Sequence, residues 1–156
     1  ADMDNDGDID IVSASDGDDT IAWYENDGAA NPSWTASNID TNADGAKSVF
    51  AADIDNDGDM DILSASMNDD TIAWYESDGA ANPSWTASNI DTNADSARSV
   101  FAADIDGDGD LDIISASYSD STIAWYETSA IPEFSNIMMP IVSVLAIVGF
   151  NYRKRH

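Results

Sequence analysis

The sequence predicts an all-β chain: a partial β-propeller of four-stranded antiparallel blades, followed by one C-terminal transmembrane helix. Three observations lead there. Residues 1–51 and 52–102 align without a gap and differ at only a handful of positions, and a third, shorter copy starts at Ala103. A fixed period of this size points to stacked repeats or a propeller. Within each copy, short apolar or alternating runs are separated by Gly, Pro, Asn and Asp clusters, which marks antiparallel strands. An apolar stretch with a basic cluster behind it then ends the chain.

The elements of the middle copy can be justified in order. Val49–Ile54 enters an acidic loop and Asp61–Ser66 leaves it. After the turn at Asn68-Asp69-Asp70 comes Thr71–Glu76, with Ile72 and Trp74 on one face and Ala73 and Tyr75 on the other. Ser77-Asp78-Gly79 and Asn82-Pro83 separate that strand from Trp85–Ile90, and Asn93-Ala94-Asp95 turns into the next copy. Four strands are the content of one propeller blade. The domain reading is a first blade at 1–51 lacking its first strand, a full blade at 52–102 and a partial blade at 103–127. A linker follows at 128–136, then a transmembrane helix at 137–152 and a basic tail at 153–156. A start at Ala1, inside the approach to an acidic loop and without an initiator Met, predicts a fragment whose N-terminal part is missing.

The acidic loop is the most informative motif. It reads Asp2, Asp4, Asp6, Gly7, Asp8, Asp10 in the first copy. The second has Asp53, Asp55, Asp57, Gly58, Asp59, Asp61, and the third Asp104, Asp106, Asp108, Gly109, Asp110, Asp112. So many carboxylates repel one another unless a cation lies among them. Calcium takes about six to eight oxygen ligands and needs a tight loop around it. Positions 1, 3, 5 and 9 offer carboxylates and position 7 its backbone carbonyl, while the glycine at 6 permits a positive φ. These fifteen aspartates are the predicted calcium ligands. The same residues also suit a solvated Asp-Gly turn, but three copies in one register, each running into an apolar stretch, favour the metal. Position 12 is Ser13, Ser64 or Ser115, so the bidentate Glu of an EF-hand is missing. A calcium-loaded β-roll would need a nine-residue repeat, which a 51-residue period does not supply.

The stretch Ala52-Asp-Ile-Asp-Asn-Asp-Gly-Asp-Met-Asp-Ile-Leu63, followed by Thr71-Ile-Ala-Trp-Tyr-Glu76, resembles the FG-GAP/VCBS repeats and is similar to the calcium-loop blades of integrin α-subunit propellers. The resemblance covers about residues 1–127. It implies metal loops on one rim, with the aspartates of each copy as ligands. Trp23, Trp74 and Trp125 with Tyr24, Tyr75 and Tyr126 are then expected to pack between blades rather than form a carbohydrate-stacking surface. Trp34 and Trp85, on the fourth strand, are the better placed for exposure.

Charge narrows the partners. All 31 acids lie at or before Glu133, where Lys47 and Arg98 are the only bases, so that stretch carries −29. Such a field repels nucleic acid and anionic headgroups and attracts cations. Five Trp, five Tyr and regular aliphatic runs argue against disorder. The absence of cysteine excludes disulfides and thiolate chemistry, and the single histidine is the last residue, which leaves no histidine base or triad.

After Glu127 the composition changes. Ile137–Phe150 is apolar and would span about 21 Å as a helix, whereas Phe134–Tyr152 would span about 28 Å, close to a hydrocarbon core of about 30 Å. Arg153-Lys154-Arg155 would stay cytoplasmic by the positive-inside rule, placing the repeats outside the cell. Pro132, Glu133 and Phe134, followed by an apolar helix and a basic tail, resemble an archaeal PEF-CTERM sorting signal. That resemblance implies processing by an archaeosortase-type membrane enzyme.

The functional expectation is a non-enzymatic, calcium-binding, cell-surface repeat protein for adhesion or envelope interactions. Its partners would be calcium, the membrane and an extracellular protein or glycan, with no nucleic acid. The alternative is a non-catalytic part of a secreted polysaccharide-acting hydrolase or lyase. Glycoside chemistry requires a distinctive carboxylate pair in a pocket. Glu25, Glu76 and Glu127 instead recur at one repeat position, and no catalytic residue is predicted.

Overall fold

A computed structural model describes residues 1–128. Ten strands run β1 (Ile11–Ser15), β2 (Thr20–Asn26), β3 (Trp34–Asp40), β4 (Ala46–Ala52), β5 (Asp61–Ser66), β6 (Thr71–Ser77), β7 (Trp85–Asp91), β8 (Ala97–Ala103), β9 (Asp112–Ser117) and β10 (Thr122–Tyr126). They form three antiparallel sheets in sequential order: β1-β2-β3, then β4-β5-β6-β7, then β8-β9-β10. No helix occurs among the described residues, and none there could cross a membrane. The predicted transmembrane helix, the Pro132-Glu133-Phe134 motif and the basic tail lie outside the described residues.

The sheet content agrees with the all-β reading and with a partial β-propeller. The first sheet lacks an entry strand, the middle sheet is complete, and the third has no outer strand among the described residues. The entry strand differs in its bounds from the sequence expectation, starting at Ala46 and ending at Ala52 rather than spanning Val49–Ile54. Ala46 pairs with Ser66 across a register shift at Lys47, which extends the strand backwards. Its end is set where Ala52 meets Asp61, because the Ile54 N–H turns away to the Asp61 carboxylate. The sheets therefore change over in the turns before Ala46 and Ala97, while the repeat frame divides β4 and β8 near their ends.

Alternation along the strands gives each sheet two apolar faces, and neighbouring sheets bury them against each other. Met3, Ile21 and Trp23 of the first unit pack on Ile62, Ala73 and Tyr75 of the second. Ile54, Leu63 and Ile72 of the second pack on Val100, Ile113 and Tyr126 of the third. The two cores are thus one interface repeated at the period of the sequence.

Polar contacts lock the same interface at both margins. The Tyr75 hydroxyl donates to Asp40 Oδ2 at 2.9 Å, and Tyr126 donates to Asp91 Oδ2 at 2.8 Å. At the end opposite the acidic loops, the Gly45 N–H donates to Asp19 Oδ1 at 2.9 Å while the Gly45 carbonyl accepts from the Met67 N–H at 3.0 Å. Ser96 repeats this between Asp70 and Tyr118. Each connecting turn is thereby held by the hairpin turns of two successive sheets.

Burial pushes the Tyr126 hydroxyl up to about 12; the Asp91 carboxylate adds to the rise and Ser115 opposes it. Tyr75 is raised in the same way, by burial and by Asp40. Both phenols hold their proton more tightly folded than unfolded. Their contribution to stability is complete below the ordinary tyrosine value of about 10 and is lost as pH rises from there towards 12. In an alkaline absorbance titration, we expect a late phenolate step that coincides with unfolding. The Tyr75→Phe, Tyr126→Phe double variant should lose that step.

Candidate metal centre and its loops

The three acidic loops connect an entry strand, or its position, to the second strand of each sheet, all at the same end. Gly58 occupies a φ of 99°, where a side chain would be strained, and its N–H donates to Asp53 Oδ2 at 3.0 Å. The Asp59 N–H then donates to Asp57 Oδ1 at 2.9 Å, an Asx turn that winds the loop inward. Equivalent bonds run from Gly7 to Asp2 and from Asp8 to Asp6. In the third loop the Asp110 N–H likewise donates to Asp108 Oδ1, whereas the bond to Asp104 comes from the Gly107 N–H, in the place of Asn56, and not from Gly109.

Winding gathers carboxylates. Asp2, Asp4 and Asp10 each bring an oxygen within 4.8 Å of the others, as do Asp53, Asp55 and Asp57, and Asp104, Asp106 and Asp108. Burial, and after it the charges of Asp57 and Asp53, raise the Asp55 carboxyl. Asp4 is raised chiefly by burial, with Asp6 and Asp10 adding to it. Asp53 Oδ1 is buried and has no hydrogen-bond partner. An orphaned anionic oxygen among other carboxylates is costly unless a cation completes it. The all-oxygen donor set on a tight, glycine-turned loop fits a hard divalent ion such as calcium.

The remaining predicted ligands have visible structural partners. Asp59 Oδ1 accepts from Asn5 Nδ2 at 2.8 Å, and Asp110 Oδ1 from Asn56 Nδ2 at 3.0 Å, so position 7 joins adjacent loops through its side chain. A Cβ at Gly79, φ 65°, would overlap the Asp59 carboxylate, and one at Gly28 would overlap Asp8. Those glycines let the loop between the third and fourth strands lie against the acidic loop.

Position 9 is the most buried. Asp61 is 1 % exposed, and its carboxylate accepts from the Ile54 N–H at 3.2 Å and the Ser77 N–H at 2.9 Å. Asp10 accepts in the same way from Met3 and Asn26, and Asp112 from Ile105 and Thr128. Burial pushes Asp61 up to about 6, against the lowering pull of the Ser77 and Ile54 N–H groups. In the first loop Asp10 also belongs to the carboxylate cluster, whereas Asp61 and Asp112 stand outside the clusters of theirs.

Sequence reasoning missed the Asn5 and Asn56 bridges and the Asp40 and Asp91 acceptors. The repeat preserves all four residue types at the 51-residue spacing, but nothing in one dimension says that they reach a neighbouring unit. The Trp-Tyr pairs behave as expected of interface residues: Trp23, Tyr75 and Tyr126 are buried. Trp34 is exposed, while Trp85 is half-buried against the first core.

The family model for the FG-GAP-like repeat matches residues 2–64 and again 53–115. The chain belongs to the FG-GAP-like repeat family. Both matches open on the first aspartate of a loop and run through the next loop to its following strand, so the family unit spans two acidic loops. No curated protein and no solved structure matches the chain. Membership makes this a β-propeller-type repeat protein.

The two roles within one FG-GAP-like loop are separable. Asp61→Ala leaves two buried N–H donors without an acceptor, each costing about 1–3 kcal/mol. We expect a lower urea midpoint with or without calcium. Asp57→Ala removes the acceptor of the Asp59 N–H, but at an exposed position where water can replace it, and should lower the midpoint in EDTA far less than Asp61→Ala does.

Proposed function

We propose that this chain is a calcium-binding, surface-displayed repeat module that serves adhesion or envelope interactions and is not an enzyme. The observation that carries the reading is the partnerless buried oxygen of Asp53 within a carboxylate cluster that recurs in all three loops. In this reading Asp53, Asp55 and Asp57 hold the ion in the second loop, with Asp59 contributing its backbone carbonyl and Asp61 fixing the loop. Asp2, Asp4 and Asp10 lead in the first loop, joined by Asp6 and the Asp8 carbonyl. Asp104, Asp106 and Asp108 do so in the third, with Asp110 and Asp112 in the equivalent supporting places. The bound ion supplies charge neutralisation and cross-links the loop; no chemistry is asked of it.

The apolar segment at 137–152 and the basic residues after it support anchoring with the repeats outside, where millimolar calcium suits loops of modest affinity. Pro132, Glu133 and Phe134 support sorting by an archaeosortase-type enzyme. The charge of −29 over the chain up to Glu133 supports partners other than nucleic acid, an extracellular protein or glycan being the class that fits.

A calcium titration of the full chain tests the reading, with melting followed by circular dichroism and EDTA as control. Each loop at ten times its Kd adds about 1.4 kcal/mol. We expect a saturable rise in melting temperature with a stoichiometry approaching one ion per loop. Asp55→Ala should remove about one ion and part of the rise. A melting temperature indifferent to calcium and EDTA would sink the proposal.

A further inference from the structure

The seventh loop position serves two loops at once. The Asp59 backbone belongs to its own loop, where its N–H donates to Asp57 Oδ1 at 2.9 Å and its carbonyl is the expected calcium ligand. Its side chain belongs to the loop before. Asp59 Oδ1 accepts from Asn5 Nδ2 at 2.8 Å, and Asn5 stands between Asp4 and Asp6, two carboxylates of the first loop. One period on, Asn56 stands between Asp55 and Asp57 and reaches Asp110 Oδ1 at 3.0 Å, while the Asp110 N–H donates to Asp108. Both asparagines sit at a φ of 61°, so the two bridges start from the same backbone geometry. The Asp59 carboxylate is confined further by Gly79, where a Cβ would overlap it. Among the described residues, these two are the only side-chain hydrogen bonds from one acidic loop to the next. Gly107 holds the same place in the third loop and has no amide to offer.

We propose, resting on the calcium reading above, that Asn5 and Asn56 are positioning residues that couple adjacent loops, so that calcium in one loop strengthens binding in the next. Filling the first loop restricts Asn5, because its neighbours on both sides are ligands. The restricted amide holds Asp59, and with it the carbonyl that the second loop must present. The second loop then gives up less freedom when it fills, which is preorganisation. Asn56 passes the same constraint to Asp110 and the third loop. Coupling of this kind is reciprocal, so filling the second loop favours the first by the same factor. Both bridges are exposed, which puts each factor at the low end of the usual range, about fivefold. The acidic field acts the other way, since each filled loop loses negative charge that attracts the next ion. Salt screens that field and leaves a direct hydrogen bond in place.

The test is a calcium-binding isotherm of the full chain by equilibrium dialysis, in mild detergent and at raised salt. The wild-type chain should bind one ion per loop along a curve steeper than independent sites give. Asn5→Gly with Asn56→Gly copies what Gly107 already does and tolerates the positive φ. That double variant should bind the same number of ions along the shallower curve of independent sites, its later ions held about fivefold more weakly. Asp55→Ala, which empties the second loop, should weaken the first and third loops of the otherwise wild-type chain but not those of the double variant. Melting in EDTA followed by circular dichroism checks that the variants fold. Asn5→Asp with Asn56→Asp replaces the glycine pair if it does not, since a carboxylate facing Asp59 or Asp110 repels where the amide bonded and flattens the curve as well. A merely structural bridge would lower the melting temperature in EDTA and leave the steepness unchanged. Equally steep curves for wild type and variants, with calcium bound, overturn the coupling and leave the calcium reading standing. A wild-type chain that binds no calcium overturns both.

Discussion

The buried carboxylate at the ninth loop position is the constraint on which the rest of each unit depends. Asp61 joins the start of its loop, through Ile54, to the end of β6, through Ser77, while itself beginning β5. One side chain thus fixes three points of the backbone that no β-ladder connects directly. Because Ile54 is held there, its side chain becomes an apolar knob in the core although it sits within an acidic loop. Asp10 does the same for Met3. The loop is therefore at once a hydrophilic surface and a contributor to the inter-sheet core.

That arrangement explains how a chain with so many acids can fold around so few bases. Hydrogen bonds to a carboxylate from backbone N–H groups favour its ionised form, whereas burial and like charges oppose it. At Asp61 burial dominates, as its rise to about 6 indicates. At Asp27 and Asp78, fully at the surface, donors from Ser33 and Ala29 or from Ser84 and Ala80 dominate instead and lower the carboxyl. Only two bases lie in the described part of the chain, and each has a specific use. Lys47 pairs with Asp16 at 2.6 Å, and the Arg98 guanidinium lies 4.8 Å above the centre of the Tyr118 ring. Neither pairs with an aspartate of the acidic loops, whose carboxylates are met by backbone N–H donors and by Asn5 and Asn56.

Strand number, strand order and loop position were legible in the sequence because each depends on local chemistry. Periodicity of two, turn residues and the aspartate spacing all act within a few residues of themselves. Bounds were less legible. The backward extension of β4 to Ala46 depends on pairing with Ser66, and its end depends on the long-range bond from Ile54 to Asp61. The loop aspartates were recognised as a set, but their division of labour was not. Whether a carboxylate faces its neighbours or a buried N–H is decided by the third strand, which reaches the loop from sixteen residues away in the case of Ser77. The tyrosine bonds to Asp40 and Asp91 span 35 residues and cross from one sheet to the next. No pattern confined to one unit encodes them.

Repetition also accounts for where the sequence is free to vary. Position 45 is glycine and position 96 serine, both at positive φ, 70° and 58°. A Cβ at Gly45 would come within 2.7 Å of the Asn68 side chain, so the wider residue is excluded there. One period later the facing residue is Ser119, and the Ser96 hydroxyl meets it at 2.7 Å, converting a steric limit into a hydrogen bond. The two members of the contact change together. A serine at position 45 opposite Asn68 would bring in the crowding without the hydroxyl partner. The interface thus constrains pairs of positions across neighbouring sheets, while a single copy considered alone leaves each of them unspecified.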